Sequence, residues 1–164
     1  MIRRPSLTIE QALQKARHYC AYQDRCHSEV KEKLYSFGLW KKDVEEAISR
    51  LIEDNYLNEE RYAVQFAGGR FRMKQWGRVK LRYELKQKQV SEYCIKKALA
   101  GIDEEDYVRT LGKLAATKWE SLQEEDNLPV RRKKLHQYLL QRGFEAELVA
   151  GAVSRAGVPE AGNG

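Results

Sequence analysis

Arg78, Arg82 and Lys86 follow one another at intervals of four residues, the spacing that stacks side chains along one face of an α-helix. Arg70, Arg72, Lys74, Lys80 and Lys88 surround them, and Glu84 is the only acid in that stretch. Like charges at this spacing repel by roughly 0.2–0.5 kcal/mol per pair. The chemistry open to such a ridge is electrostatic: it can dock on a phosphate backbone or in an acidic protein groove. The competing reading is a helix face that is only solvated. A second cluster, Arg131-Arg132-Lys133-Lys134, is placed by the sequence in the first turn of a helix. There positive charge opposes the macrodipole by about 0.3–1 kcal/mol per group, which again favours an anionic partner over a bare solvated turn.

Covalent and metal chemistry find no comparable foundation. No glycine-rich loop ends in Lys-Ser or Lys-Thr, no H-E-x-x-H occurs, and no cysteines have paired metal-ligand spacing. His18, His27 and His136 are scattered. Cys20, Cys26 and His27 lie close in sequence, but Cys20 belongs to an apolar stripe and Cys26 to a helix start, so a structural role outweighs ligation. The carboxylate runs, such as Glu45-Glu46 and Asp103-Glu104-Glu105-Asp106, suit first turns and solvated faces. The expectation is a protein with no catalytic residues, no metal and no cofactor. Trp76, inside the basic stretch, either stacks on a base or pins one structural unit on the next. Gly68-Gly69 either permits close helix packing or a hinge, or marks a helix end.

The elements that position these residues are helices. The 164 residues hold only three prolines, Pro5, Pro129 and Pro159, and the interior is rich in Glu, Lys, Arg, Leu and Ala, a helix-forming composition. The net charge is +6, which suggests a polyanionic partner. An odd set of three cysteines argues against a disulfide framework and fits a reducing, cytoplasmic setting. No apolar run follows Met1-Ile2-Arg3-Arg4, so neither a signal peptide nor a membrane span is expected.

An internal repeat organises the chain. Leu34 to Leu39, Leu85 to Val90 and Leu139 to Phe144 align, each running from Leu to an apolar residue five positions on. Val44, Ile95 and Val149 then match, followed by Ala47-Ile48, Ala98-Leu99 and Ala152-Val153. A period of about fifty residues fits stacked supersecondary units. Each unit reads as three helices with a small apolar stripe that is marginal alone and supported by its neighbours. The predicted fold is all-α: three tandem three-helix repeats at 1–56, 57–102 (basic) and 103–157, in an elongated, curved array, with a flexible tail at 158–164.

Three stretches carry a resemblance to the RecX family of bacterial recombination regulators. They are Arg25-Cys26-His27-Ser28-Glu29-Val30 with Lys33-Leu34 and Phe37-Gly38, then Tyr56-Leu57-Asn58-Glu59-Glu60-Arg61-Tyr62-Ala63, then Trp76-Gly77-Arg78-Val79-Lys80-Leu81 with Glu84-Leu85 and Lys88. The third unit adds Leu139-Leu140-Gln141-Arg142-Gly143-Phe144. The likeness covers Ile9 to Ala156. It implies a regulator that binds the RecA recombinase on single-stranded DNA, with or without direct contact to the strand, and suppresses ATP hydrolysis and strand exchange or prevents filament growth; a monomer is expected. On that reading Arg70, Arg72, Lys74, Arg78, Lys80, Arg82 and Lys86 carry the docking, with Arg131, Arg132, Lys133 and Lys134 secondary. Reversing Arg78, Arg82 and Lys86 to Glu is then expected to abolish inhibition and leave helicity intact. The alternative is an independent helical DNA-binding regulator of helix-turn-helix type. Two departures bear on the fold. Cys26 replaces a frequent capping Ser, so Ser28 caps instead or the helix starts loosely. Gln89 replaces a frequent Gly, which questions a left-handed turn there.

Overall fold

The structure, a computed structural model, describes residues 6–158, which form nine helices and no strand. In chain order these are α1 (Ile9–Tyr22), α2 (His27–Ser36), α3 (Lys41–Glu53), α4 (Glu59–Lys74), α5 (Arg78–Gln87), α6 (Glu92–Ala100), α7 (Glu104–Ser121), α8 (Leu128–Gln141) and α9 (Ala146–Arg155). They fall into three successive triplets, the helical repeat that the aligned leucines predict. Residues 159–164 of the expected tail lie outside the described residues.

The first helix of every triplet starts on the same device. Thr8 accepts from the Gln11 N–H at 3.2 Å, and the Gln11 side chain accepts from the Thr8 N–H at 3.0 Å, closing a capping box. Asn58 caps α4 through the Arg61 N–H at 2.9 Å, and Asp103 caps α7 through the Asp106 N–H at 3.0 Å. The middle helix of every triplet ends on a left-handed residue: Gly38 (φ 86°), Gln89 (φ 61°) and Gly143 (φ 94°). Gln89 therefore keeps the turn despite its side chain. Its N–H reaches Lys86 O at 2.9 Å and the Val90 N–H reaches Leu85 O at 3.1 Å. Gly143 and Phe144 repeat that pair of bonds to Leu140 O and Leu139 O, so two orphan carbonyls are satisfied at each helix end.

Packing divides the described residues into two compact units, one within Met1–Ala67 and Glu84–Ala98, the other within Gly68–Tyr83 and Leu99–Gly164. The division passes through the middle triplet. In the first unit, Ala12, Leu13, Ala16 and Cys20 of α1 bury against Val30 and Leu34 of α2 and Val44, Ala47, Ile48 and Leu51 of α3. In the second, Tyr107, Leu111 and Ala115 of α7 bury with Leu135, Leu139, Phe144, Val149 and Ala152, and the Tyr107 ring lies 5.7 Å from Phe71 and 5.3 Å from Phe144.

Some local expectations change. Gly68-Gly69 is not a helix end: α4 runs on to Lys74, a Cβ on Gly69 would meet nothing within 4 Å, and one on Gly68 would meet only the flexible end of the Arg72 side chain, at 2.8 Å. Cys26 makes no capping hydrogen bond, and Ser28 does not take over. Its hydroxyl instead donates to Lys88 O at 2.7 Å, tying the start of α2 to the turn after α5. No described helix is long and apolar enough to cross a membrane.

Candidate basic interaction site

The corner between α4 and α5 gathers the densest basic chemistry of the second unit. It is built on backbone. The Gly77 N–H donates to Arg142 O at 2.8 Å and the Val79 N–H donates to Gly143 O at 2.9 Å, so the start of α5 docks directly on the turn between α8 and α9. Close approach demands glycine on both sides: a Cβ on Gly77 would overlap the Gly143 carbonyl, and one on Gly143 would overlap the Lys80 side chain. The Arg142 guanidinium closes the corner by donating to Lys74 O and, at 3.3 Å, to Gln75 Oε1.

Trp76 is fixed at this corner, half-buried. Lys80 Nζ lies 4.6 Å from its ring centroid, and Arg70 and Lys74 each lie at 5.6 Å. Each cation gains about 0.5–1 kcal/mol from the ring face. The three also repel one another, and an approaching anion would relieve that repulsion. Arg70, Lys74 and Lys80 are thus brought together around one indole, which the linear charge pattern alone did not reveal.

Arg78 plays a different part. Its guanidinium lies 3.7 Å from the Tyr107 ring centroid, bonds Glu145 at 2.8 Å and pairs with Glu104. Its side chain is 22% exposed. Its backbone N–H donates to the Tyr107 hydroxyl at 3.0 Å, and that hydroxyl donates to Glu145. Burial alone would lower the Arg78 pKa, but hydrogen bonds to Glu145 and Glu104 outweigh it and hold the pKa above the usual value. Burial, and then the bond to Glu145, push the Tyr107 phenol well above its ordinary range.

The premise of a ridge without compensating acids is therefore corrected. Glu104 and Glu145 serve Arg78, and Glu92 sits 3.9 Å from Lys86. These acids come from α6, α7 and the start of α9, so the charge pattern of α5 could not reveal them. Reversing Arg78 to Glu would set a third carboxylate among two others, so that change tests folding as much as docking. Arg82 is half-buried on α5, and Arg72 is exposed near the end of α4.

The second cluster also divides. The helix opens at Leu128, with Asn127 as its cap, so only Arg131 lies in the first turn and Arg132 to Lys134 follow in the second. Arg131 donates twice to Trp119 O, at 2.6 and 3.2 Å, and its guanidinium covers the Trp119 ring at 3.9 Å. It thereby caps the C-terminus of α7, where positive charge meets the negative end of a helix dipole. Lys134 pairs with Glu125 at 3.1 Å. Arg132 and Lys133 are exposed, and neither side chain has an ion pair or hydrogen bond among the described residues.

All three cysteines are free and buried. Burial raises the thiol pKa of Cys20 and Cys26, which keeps them protonated and unreactive. No metal-holding group of three or more His, Cys, Asp or Glu side chains occurs among the described residues.

Comparison with known proteins places this architecture. The family model described as RecX, second three-helix domain, matches residues 58–99, and that of the third three-helix domain matches residues 104–153. A regulatory protein RecX of Prosthecochloris aestuarii is 33% identical over 138 residues, 84% of this chain and 88% of that protein. One from Clostridium perfringens is 33% identical over 132 residues, 80% of this chain. The chain spans only 61% of that clostridial protein and 52% of a Bacillus cytotoxicus relative. In fold, it is similar to the crystal structure of RecX from Lactobacillus salivarius, with a TM-score of 0.82 at 22% identity, covering 90% of this chain and 96% of that one. Fold, family models and sequence identity agree, and the chain belongs to the RecX family of regulatory proteins.

Proposed function

We propose that this protein regulates RecA by docking on RecA–single-stranded DNA filaments, inhibiting ATP hydrolysis and strand exchange and so modulating recombination, DNA repair and the SOS response. It acts in the cytoplasm, as a monomer, through binding and without catalysis of its own. The observation that carries the reading is the cation cluster around Trp76. Arg70, Lys74 and Lys80 converge on one ring in a chain of net charge +6, and a nucleoprotein filament is an extended anionic partner for such a surface. Arg72 and Arg82 are further basic positions of the same unit, Lys86 is one of the first unit, and Arg132 and Lys133 add a second patch. Arg78, Arg131 and Lys134 contribute by holding helices in place.

The test is RecA ATP hydrolysis on single-stranded DNA, titrated with the wild-type chain and with Lys74→Glu/Lys80→Glu. The wild type should inhibit, and the double variant should need on the order of tenfold more protein for equal inhibition. Wild type without effect on a cognate RecA, joined to sequence-preferring duplex binding, would instead support an independent helical DNA-binding regulator.

A further inference from the structure

The second unit carries a cleft that shares Arg72 and Gln75 with the basic corner and otherwise lies outside it. It has a volume of about 520 Å³ and lies among the end of α4, one face of α7 and the last turn of α8. Ligand-binding clefts span roughly 300–1,000 Å³. Arg72 enters from α4, Arg109, Lys113, Thr110 and Thr117 from α7, and Tyr138 from α8. The α7 positions recur at helical spacing and lie away from its buried face of Tyr107, Leu111 and Ala115. They are therefore not needed for the core.

The charge balance in the cleft is lopsided. Asp106 is the one acid among its lining residues, and it is already engaged with Arg109 at 3.0 Å. Arg72 and Lys113 have no ion-pair partner among the described residues. Two threonine hydroxyls and the Gln75 amide supply neutral hydrogen-bonding groups beside the cations. Tyr138 adds a half-buried aromatic ring, with Lys118 Nζ 4.9 Å from its centroid. Cations with hydroxyls and an aromatic wall match a phosphate linked to a flat base. A run of carboxylates alone would use the cations but would leave the aromatic wall without a matching group.

We propose that this cleft is a nucleotide-binding site, in which Arg72, Arg109 and Lys113 take the phosphate, Thr110 and Thr117 add hydrogen bonds, and Tyr138 meets the base. The nucleotide comes either from a single strand or free from solution. The proposal does not rest on the RecA reading, because its ligand needs no recombinase.

The experiment uses the full chain and a short fluorescent oligothymidylate at low salt, read by anisotropy. Arg109→Glu/Lys113→Glu, which leaves the basic corner untouched, should weaken binding by about tenfold or more and flatten the salt dependence by about one unit of slope per lost contact. Lys31→Glu/Lys42→Glu, two exposed positions in the first unit, makes the same change in net charge and should weaken binding less than threefold. Equal loss in both variants would reduce the effect to net charge and overturn the proposal, as would unchanged binding in the cleft variant. Amide NMR shifts at Thr110, Lys113 and Thr117 separate the two sources. Movement with thymidine monophosphate alone assigns a free nucleotide, and movement only with the oligomer assigns a strand. No movement with either probe, or displacement of the oligomer by poly-glutamate at equal charge, would sink the nucleotide assignment.

Discussion

Replacing Arg78 by Ala should cost stability, and the size of the loss can be worked from its contacts. The ion pair with Glu145 joins side chains that are 22% and 33% exposed. Screening by solvent reduces a charge-assisted bond of this kind to about 1 kcal/mol. The partner Glu104 is 69% exposed, so that pair adds only about 0.2–0.5 kcal/mol. Stacking of the guanidinium on Tyr107 at 3.7 Å, with the apolar stem of the side chain, contributes about 1 kcal/mol more. The total is about 2–3 kcal/mol, a fall in Tm of about 5–10 °C for a chain this size. Thermal unfolding followed by circular dichroism measures it, with Arg132→Ala as the exposed comparison, expected within about 2 °C of wild type. A double-mutant cycle of Arg78→Ala with Glu145→Gln should return a coupling of about 1 kcal/mol. An Arg78→Ala protein that melts within a degree of wild type, or a cycle that is additive, would refute the assignment of Arg78 as a strut. Arg78 would then return to the docking surface.

Further outcomes follow from the turns and the titrating groups. Gln89→Gly should stabilise by up to about 1 kcal/mol, seen as a higher urea midpoint, because a left-handed residue with a side chain is strained where glycine is not. Gly143→Ala should destabilise by more than about 2 kcal/mol in the same assay, since it adds overlap with Lys80 to an unfavourable φ of +94°. Gly69→Ala, with open space around its Cβ, should stabilise by about 1 kcal/mol through helix propensity. The raised pKa of Tyr107, caused first by burial and then by the bond to Glu145, favours the neutral phenol in the folded state. Its contribution is complete below the ordinary phenol value of 10.0 and is lost as pH climbs from there toward the raised folded value. Stability should therefore decline above pH 10, and Tyr107→Phe should flatten that decline in denaturant melts taken across the alkaline range.

Much of the fold was legible because it is written in local patterns. The aligned leucines at 34, 85 and 139 mark the three middle helices, and Thr8, Asn58 and Asp103, short polar residues near the start of each repeat, each cap the first helix of a triplet. Leu13 is fully buried beside Ala12 and Ala16, and the sequence does not say which second helix will cover a neighbouring position on α1. The basic site was legible as a region and not as a geometry. Lys74 and Lys80 could be found from charge density, but their convergence with Arg70 on Trp76 depends on the tight corner at Gly77. The roles of Arg78 and Arg131 were hidden because their partners, Glu145 and the Trp119 carbonyl, are distant in sequence. Arg109 and Lys113 were missed for another reason. They are dispersed among apolar and acidic residues on α7, and only the cleft beside Arg72 sets them apart.

The joint between Gly77 and Gly143 has a consequence for how this surface can change over generations. Two backbone segments hold it with main-chain bonds, and the two glycines that let them meet cannot accept a side chain. The neighbouring Trp76 and Lys80 contribute no side-chain hydrogen bond to that joint. Drift at those positions can therefore retune the strength and selectivity of a contact while the angle at which α5 leaves the turn stays fixed. Such a surface can track a partner that is itself evolving, one side chain at a time, without passing through unfolded intermediates.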